Sequence, residues 1–159
     1  MPEVINAPKA TRPSAVEVKR ARLAEAHRVI DAIAAVGRRF FYHERDDRTA
    51  RMEVDDRGRV WWIDEYRGDR IYASEVGAEW RHFSNGGTLK AIAEELVVYV
   101  KTGKPVRRGH FGPWPEWLAG PGGDRWGYGA EAMDAVRAAV SELPAVARPA
   151  PSAPAEGAA

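Results

Sequence analysis

One stretch constrains this chain more than any other. Between Thr88 and Pro105 the apolar residues Leu89, Ile92, Leu96 and Tyr99 recur at three- and four-residue steps, with Ala93, Val97 and Val100 beside them. That periodicity predicts an amphipathic helix with a broad buried face. Thr88 is placed to serve as its N-cap, and Gly103 followed by Pro105 is a stop signal. A helix this apolar requires other elements to cover it. What precedes it is Trp80-Arg81-His82-Phe83-Ser84-Asn85-Gly86-Gly87, an aromatic loop delivered to the end where backbone N–H groups and the positive pole of the helix dipole lie.

The remaining patterns supply the cover. Ser14-Ala15-Val16-Glu17 is a capping box after Pro13, and a helix follows to about Val36, with Val16, Leu23, Ala26, Ile30 and Ile33 on one stripe. Gly37 stands at the C-cap position, and Arg38 and Arg39 lie near the negative helix end. The pattern then alternates. Residues 39–43, 50–54, 59–65 and 70–74 read as strands, separated by polar turns that include Asp55-Asp56-Arg57-Gly58 and Arg67-Gly68-Asp69. In the third strand Val60 and Trp62 share one face and Trp61 and Ile63 the other, so it is apolar on both sides. Such a strand lies under helices on both faces, or one face is an interface. A last helix is expected over 130–143, with Met133, Val136, Val140 and Leu143 on a stripe.

The fold class is therefore α+β: an antiparallel meander of about four strands packed with an N-terminal helix and two later helices. At 159 residues one domain is expected, over 14–143. Residues 1–13, with three prolines and no period, are expected to be a disordered arm, and the Pro/Ala-rich residues 144–159 a disordered tail. Between the central and last helices, residues 106–129 hold three of the six tryptophans (Trp114, Trp117 and Trp126) with Phe111 and Tyr128 among seven glycines. Disordered segments are poor in aromatics, so this segment is expected to wrap the body with its rings buried.

Several chemistries find no support. Cysteine is absent, which excludes disulfides, thiolate metal sites and a cysteine nucleophile. His27, His43, His82 and His110 show no close metal-ligand spacing, so no metal and no cofactor are expected, and His27 reads as structural. No GxSxG elbow, P-loop or kinase signature occurs. The glycines of 120–127 do not follow a strand or open a helix, as a dinucleotide site requires. Asp64 and Glu65 end an aromatic strand. Either would serve as a general acid or base if it faced a pocket, but neighbours on a strand point to opposite faces and do not act as a pair. Apolar runs stop at five residues, as at 96–100, far from the ~20 of a membrane span, and no signal peptide is visible. A cytoplasmic protein is expected.

The candidate site is the loop before the central helix. Arg81, His82, Ser84 and Asn85 offer donors, Trp80 and Phe83 offer stacking faces, and Gly86, Gly87 and Thr88 let a ligand approach the helix end. Arg107, Arg108 and His110 lie past the other end of a helix ~22 Å long, so they join the loop only if the chain folds back or across a subunit boundary. The functional reading is a nucleotide-like anion site; the plainer one is a Gly-Gly turn with Trp80 and Phe83 in the core, and it is favoured.

Three blocks carry a resemblance: 80–89, then Tyr99-Val100-Lys101-Thr102-Gly103-Lys104, then His110-Phe111-Gly112-Pro113-Trp114-Pro115 with Trp126-Gly127-Tyr128-Gly129. They are similar to small uncharacterised proteins encoded by tailed bacteriophages and prophages. The resemblance covers about residues 39–143 and brings no catalytic residues. It implies a small accessory protein in a bacterial cytoplasm during infection. Two functions follow from different classes. One is a non-enzymatic binding protein that antagonises a host defence system by binding a host protein or sequestering a nucleotide-like ligand. Trp61, Trp62, Trp114 and Trp117 would form its interface, and self-association through the aromatic strand accords with that reading. The other is nucleic-acid binding through Arg57, Arg59, Arg67 and Arg70, against which a net charge of +1 weighs. An enzyme with a dispersed site is the third reading.

Overall fold

The computed structural model describes residues 12–36, 40–73, 80, 82–119, 125–127 and 129–148. Gly37, Arg38, Arg39, Ser74, Arg81, Tyr128, residues 120–124, most of the expected arm (1–11) and the end of the expected tail (149–159) lie outside them.

Helix α1 spans Ala15–Ala34 and opens with the expected capping box: Ser14 Oγ accepts from Glu17 N, and the Glu17 side chain accepts from Ser14 N. Its buried residues are Ala26, Val29, Ile30, Ile33 and Ala34. The strands divide into two antiparallel sheets rather than one meander. A small hairpin pairs β1 (Tyr42–His43) with β2 (Arg48–Thr49). A three-stranded sheet follows in the order β3 (Arg51–Val54), β4 (Val60–Ile63), β5 (Arg70–Tyr72). The first expected strand is cut short because Phe41 has φ 63°, outside strand geometry, which turns its ring fully into the core.

The three-stranded sheet buries Met52, Val54, Val60, Trp62 and Ile71 on one face, against α1 and the central helix. This is the period-2 pattern of a one-sided sheet. The central helix, α2 (Gly87–Thr102), starts one residue before the expected cap. Gly86 is the N-cap and makes no side-chain bond, so Thr88 lies inside the first turn. At the other end Gly103 takes the left-handed conformation (φ 82°), and its N–H donates to Tyr99 O. A Cβ there would stand 3.1 Å from the Arg22 guanidinium, which itself donates to Val100 O.

Beyond α2 the chain makes a 3-10 turn at Arg108–Phe111, a one-turn helix α3 (Glu116–Ala119), and helix α4 (Ala130–Val140). Phe111 and Trp126 are buried and Trp114 is half-buried, so the described parts of this segment pack on the body, except at α3, while Tyr128 lies outside the described residues. The domain does not end at residue 143. Ala145 and Val146 are buried, Val106 pairs in parallel with Val146, and Val106 N donates to Ala145 O at 2.7 Å. Residues 144–148 therefore belong to the core that 106 enters, not to a tail. Their apolar pattern is too short to reveal this locally.

Candidate functional site

The loop before α2 is organised by two buried carboxylates. After Ile63 the chain leaves strand geometry and turns: Asp64 N donates to Asp69 O, and Gly68 N donates to Asp64 O. The turn lifts the rule that neighbours diverge, and both side chains reach the 84–85 backbone or side chains. Asp64 is 0% exposed and accepts from Tyr66 N at 3.1 Å and Ser84 N at 2.9 Å. Glu65 is 5% exposed, and its Oε1 accepts from Ser84 Oγ and Asn85 Nδ2, each at 2.7 Å. Glu65 Oε2 has no protein donor. The backbone of Glu65 accepts from Arg48 Nη1. Buried carboxylates held by a loop's own donors make that loop rigid, at a desolvation cost that only good geometry offsets.

The expected ligand residues divide around this pair. Trp80 is buried, and its ring packs edge-on against Phe83 at 5.1 Å and tilted against Trp62 at 6.1 Å. Trp80 is thus engaged inside the protein, while Phe83 is half-buried. Asn85 donates to Glu65, and exposed His82 lies 3.4 Å from an Arg67 nitrogen. Gly86, Gly87 and Thr88 form the helix end, with no acidic residue in its first turn. Asp64 and Glu65, bonded to the residues just before it, bring negative charge to the place where an anion would approach.

The chain folds back past the C-terminus of α2, so Arg107 and His110 return to mid-helix. Arg107 pairs with Glu95 at 3.2 Å and also donates its backbone N–H to Glu95 Oε1; His110 Nε2 contacts Glu95 Oε2. Burial pushes the Glu95 carboxyl up, but the Arg107 and His110 donors outweigh it, and the group sits below its ordinary value. A groove of about 190 Å³ beside it is lined by Glu95, Val98, Lys104, Pro105 and Arg107. Glu95 lies eight residues beyond Gly87, ~12 Å along the axis. The gap to the loop is about halved. Arg108 turns the other way and donates to Ser141 O at 3.3 Å. Arg107, Arg108 and His110 therefore do not converge on one point.

Of the expected interface residues, Trp62 is a correction. It is 0% exposed and packs against Phe41, Trp80 and Phe83, so it is core. Its strand, β4, is the middle of the sheet and has no free edge. Trp61 is half-buried on the open face: Arg70 lies 4.4 Å over its ring, Tyr72 is 5.2 Å away, and its Nε1–H donates to Asp55 at 3.0 Å. That bond, with those from Arg59, holds the Asp55 carboxyl far below the usual carboxylate range. Trp114 leans on Trp126 and folds over Gly112, where a Cβ would come within 2.9 Å of it. Trp117 is 84% exposed and its neighbour Leu118 42%.

The arginines proposed for nucleic acid are largely matched by acids: Arg59 with Asp55, Arg67 with Asp69, and Arg70 with Glu53. Only Arg57 stands outside this pairing; its backbone N–H donates to Asp55. Sequence reasoning missed the roles of Asp55 and Glu95. The Asp-Asp-Arg-Gly signal marks the first as a turn residue but not as the acceptor for Trp61. Nothing local marks the second. Among the described residues no group of three or more His, Cys, Asp or Glu is placed to hold a metal ion. No helix there is long and apolar enough to cross a membrane.

No solved structure matches the chain significantly. Among curated proteins it is 29% identical over 84 residues to the SPbeta prophage-derived uncharacterized protein YoqU of Bacillus subtilis (strain 168). The aligned part is 52% of this chain and spans 60% of the relative's length. The model of the YoqU family matches residues 17–150, from the first helix to beyond the last, and the chain therefore belongs to the YoqU family.

Proposed function

We propose that this protein is a non-catalytic accessory protein of phage type that binds a protein of the bacterial host, as an antagonist of a host defence system would. The observation that carries the reading is the pair Trp117 and Leu118, exposed at 84% and 42% on a single turn of helix. Tryptophan is the residue most enriched among the anchors of protein interfaces. Here it is held outward beside a segment whose other rings, Phe111, Trp114 and Trp126, pack against one another. An anchor on a fixed base loses little freedom on binding. The prophage origin of the Bacillus relative supports a bacterial cytoplasm as the setting.

Sequestration of a nucleotide-like ligand fits less well, because Trp80 is buried, Phe83 is half-buried against it, and Ser84 and Asn85 are bonded to Asp64 and Glu65. Nucleic-acid binding fits less well because the arginines have acidic partners.

The test is site-specific photo-crosslinking in host cells. A photoreactive residue in place of Trp117 should capture one discrete host protein that the same residue in place of Arg28, exposed on α1, does not. With that protein purified, Trp117→Ala should weaken binding by at least ~30-fold, the scale of an interface hot spot. Identical capture from both positions, or unchanged affinity in Trp117→Ala, refutes the proposal.

A further inference from the structure

The two edges of the three-stranded sheet are not equivalent. Asp55 N donates to Arg59 O, so the bonded pairs between β3 and β4 are 55/59, 53/61 and 51/63. Met52 and Val54 then direct their backbone groups outward, and α1 bonds one group of each. His27 Nε2 accepts from Met52 N at 2.9 Å, and Arg20 reaches Val54 O at 3.4 Å. On the other side Ala73 N donates to Val60 O and Asp64 N to Asp69 O, so the bonded pairs are 60/73, 62/71 and 64/69. Arg70 and Tyr72 therefore point their N–H and C=O groups away from β4. Among the described residues nothing is bonded to these outward groups, and both residues are exposed.

An open edge is a template for another strand. We propose that β5 pairs antiparallel with β5 of a second copy of this chain, across a two-fold axis at Ile71, joining the two sheets into one of six strands. Hydrogen-bond parity and charge select this register, and the self-complementary order of Arg70 and Tyr72 favours this occupant. Only outward-directed residues form bonded pairs, which leaves 70 opposite 70, 72 opposite 72, or 70 opposite 72. The first two registers give one bonded pair, and the first also opposes two guanidinium groups. The third gives two bonded pairs, each exchanging two bonds, and sets Arg70 against Tyr72 of the partner subunit twice. The edge presents a cation and an aromatic ring, and its complement is the same two groups in reverse order. On the open face, Arg70 and Tyr72 already flank Trp61 at 4.4 and 5.2 Å, so pairing makes one continuous cation and aromatic row across the dimer. This surface is separate from Trp117. The strand is three residues long, so the dimer is weak.

Sedimentation velocity over a dilution series tests this with Tyr72→Lys, Tyr72→Glu and Tyr72→Pro. The wild type should dimerise reversibly. Tyr72→Lys, which faces Arg70 twice, should weaken the dimer by about tenfold, and Tyr72→Glu should hold or tighten it. Tyr72→Pro should abolish it with the sheet intact, because that N–H does not serve the β4 ladder. A monomer at every concentration to about 0.5 mM overturns the proposal. So does an equal effect of Lys and Glu, or a dimer lost in Trp117→Ala; the charge pair decides even if the proline variant misfolds.

Discussion

His27 joins α1 to the sheet edge, and its removal should reveal how much that joint contributes. The ring nitrogen Nε2 lies 2.9 Å from Met52 N, a backbone donor, so Nε2 must be the unprotonated acceptor. Met52 is 2% exposed. His27→Ala leaves its N–H buried and unpaired, at a cost of about 1–3 kcal/mol. At about 3 °C per kcal/mol for a chain of this size, the midpoint should fall by roughly 3–9 °C near neutral pH. The joint is also pH-sensitive. Burial pushes His27 below its ordinary value of 6.5; Asp31 opposes this and Arg51 adds to it. The unfolded chain takes up the proton below about pH 6.5 while the native ring resists it. The unfolded state then holds more protons, so stability falls as pH drops below 6.5 until the native value is reached. His27→Ala lacks this loss, and the gap between the two proteins should narrow from about pH 7.5 to about pH 5.5. His27→Gln, whose amide oxygen accepts without titrating, should keep most of the stability and flatten the pH response. Thermal unfolding followed by circular dichroism reads all three. A midpoint for His27→Ala within about 1 °C of wild type near neutrality, or a gap that widens on acidification, would refute the reasoning.

Two further substitutions separate core from surface and domain from tail. Trp62→Ala should cost about 3–5 kcal/mol in urea unfolding, because the ring is fully buried among Phe41, Trp80 and Phe83, while the mass of the folded protein in dilute solution stays unchanged. A stable variant with altered mass would return Trp62 to the surface. Truncation after Leu143 removes buried Val146 and the bonds Val106 N to Ala145 O and Ala147 N to Val106 O, and should cost about 2–4 kcal/mol. An unaltered unfolding midpoint would mean that these residues are only a tail.

The legible parts of the fold were those written in local periodicity. The capping box at Ser14, the stripe from Leu89 to Val100 and the Gly103 stop all stand where the sequence indicates, because each is set by residues within one or two turns. The alternation from Ala50 to Val54 likewise identified the buried face of β3. The candidate loop was located but its chemistry was not. Ser84 and Asn85 read as free donors until Glu65, 19 and 20 residues away, is seen to accept from both. Asp64 and Glu65 read as divergent until the turn after Ile63 brings them together.

By itself, the sequence determined the α+β class, the three long helices and the buried faces of α2 and β3, since these follow from side-chain period and capping chemistry along the chain. Only the tertiary structure decided which polar groups remain available. Pairing of Glu95 with Arg107, of Glu65 with Asn85 and of Met52 with His27 joins positions 12 to 25 residues apart. It likewise decided that α1 bonds to the β3 edge while the β5 edge is open, and that Trp62 is core while Trp117 faces solvent. The physical reason is that a hydrogen-bonding group or an aromatic ring is committed by whatever lies against it in space, and residue type alone does not encode that neighbour.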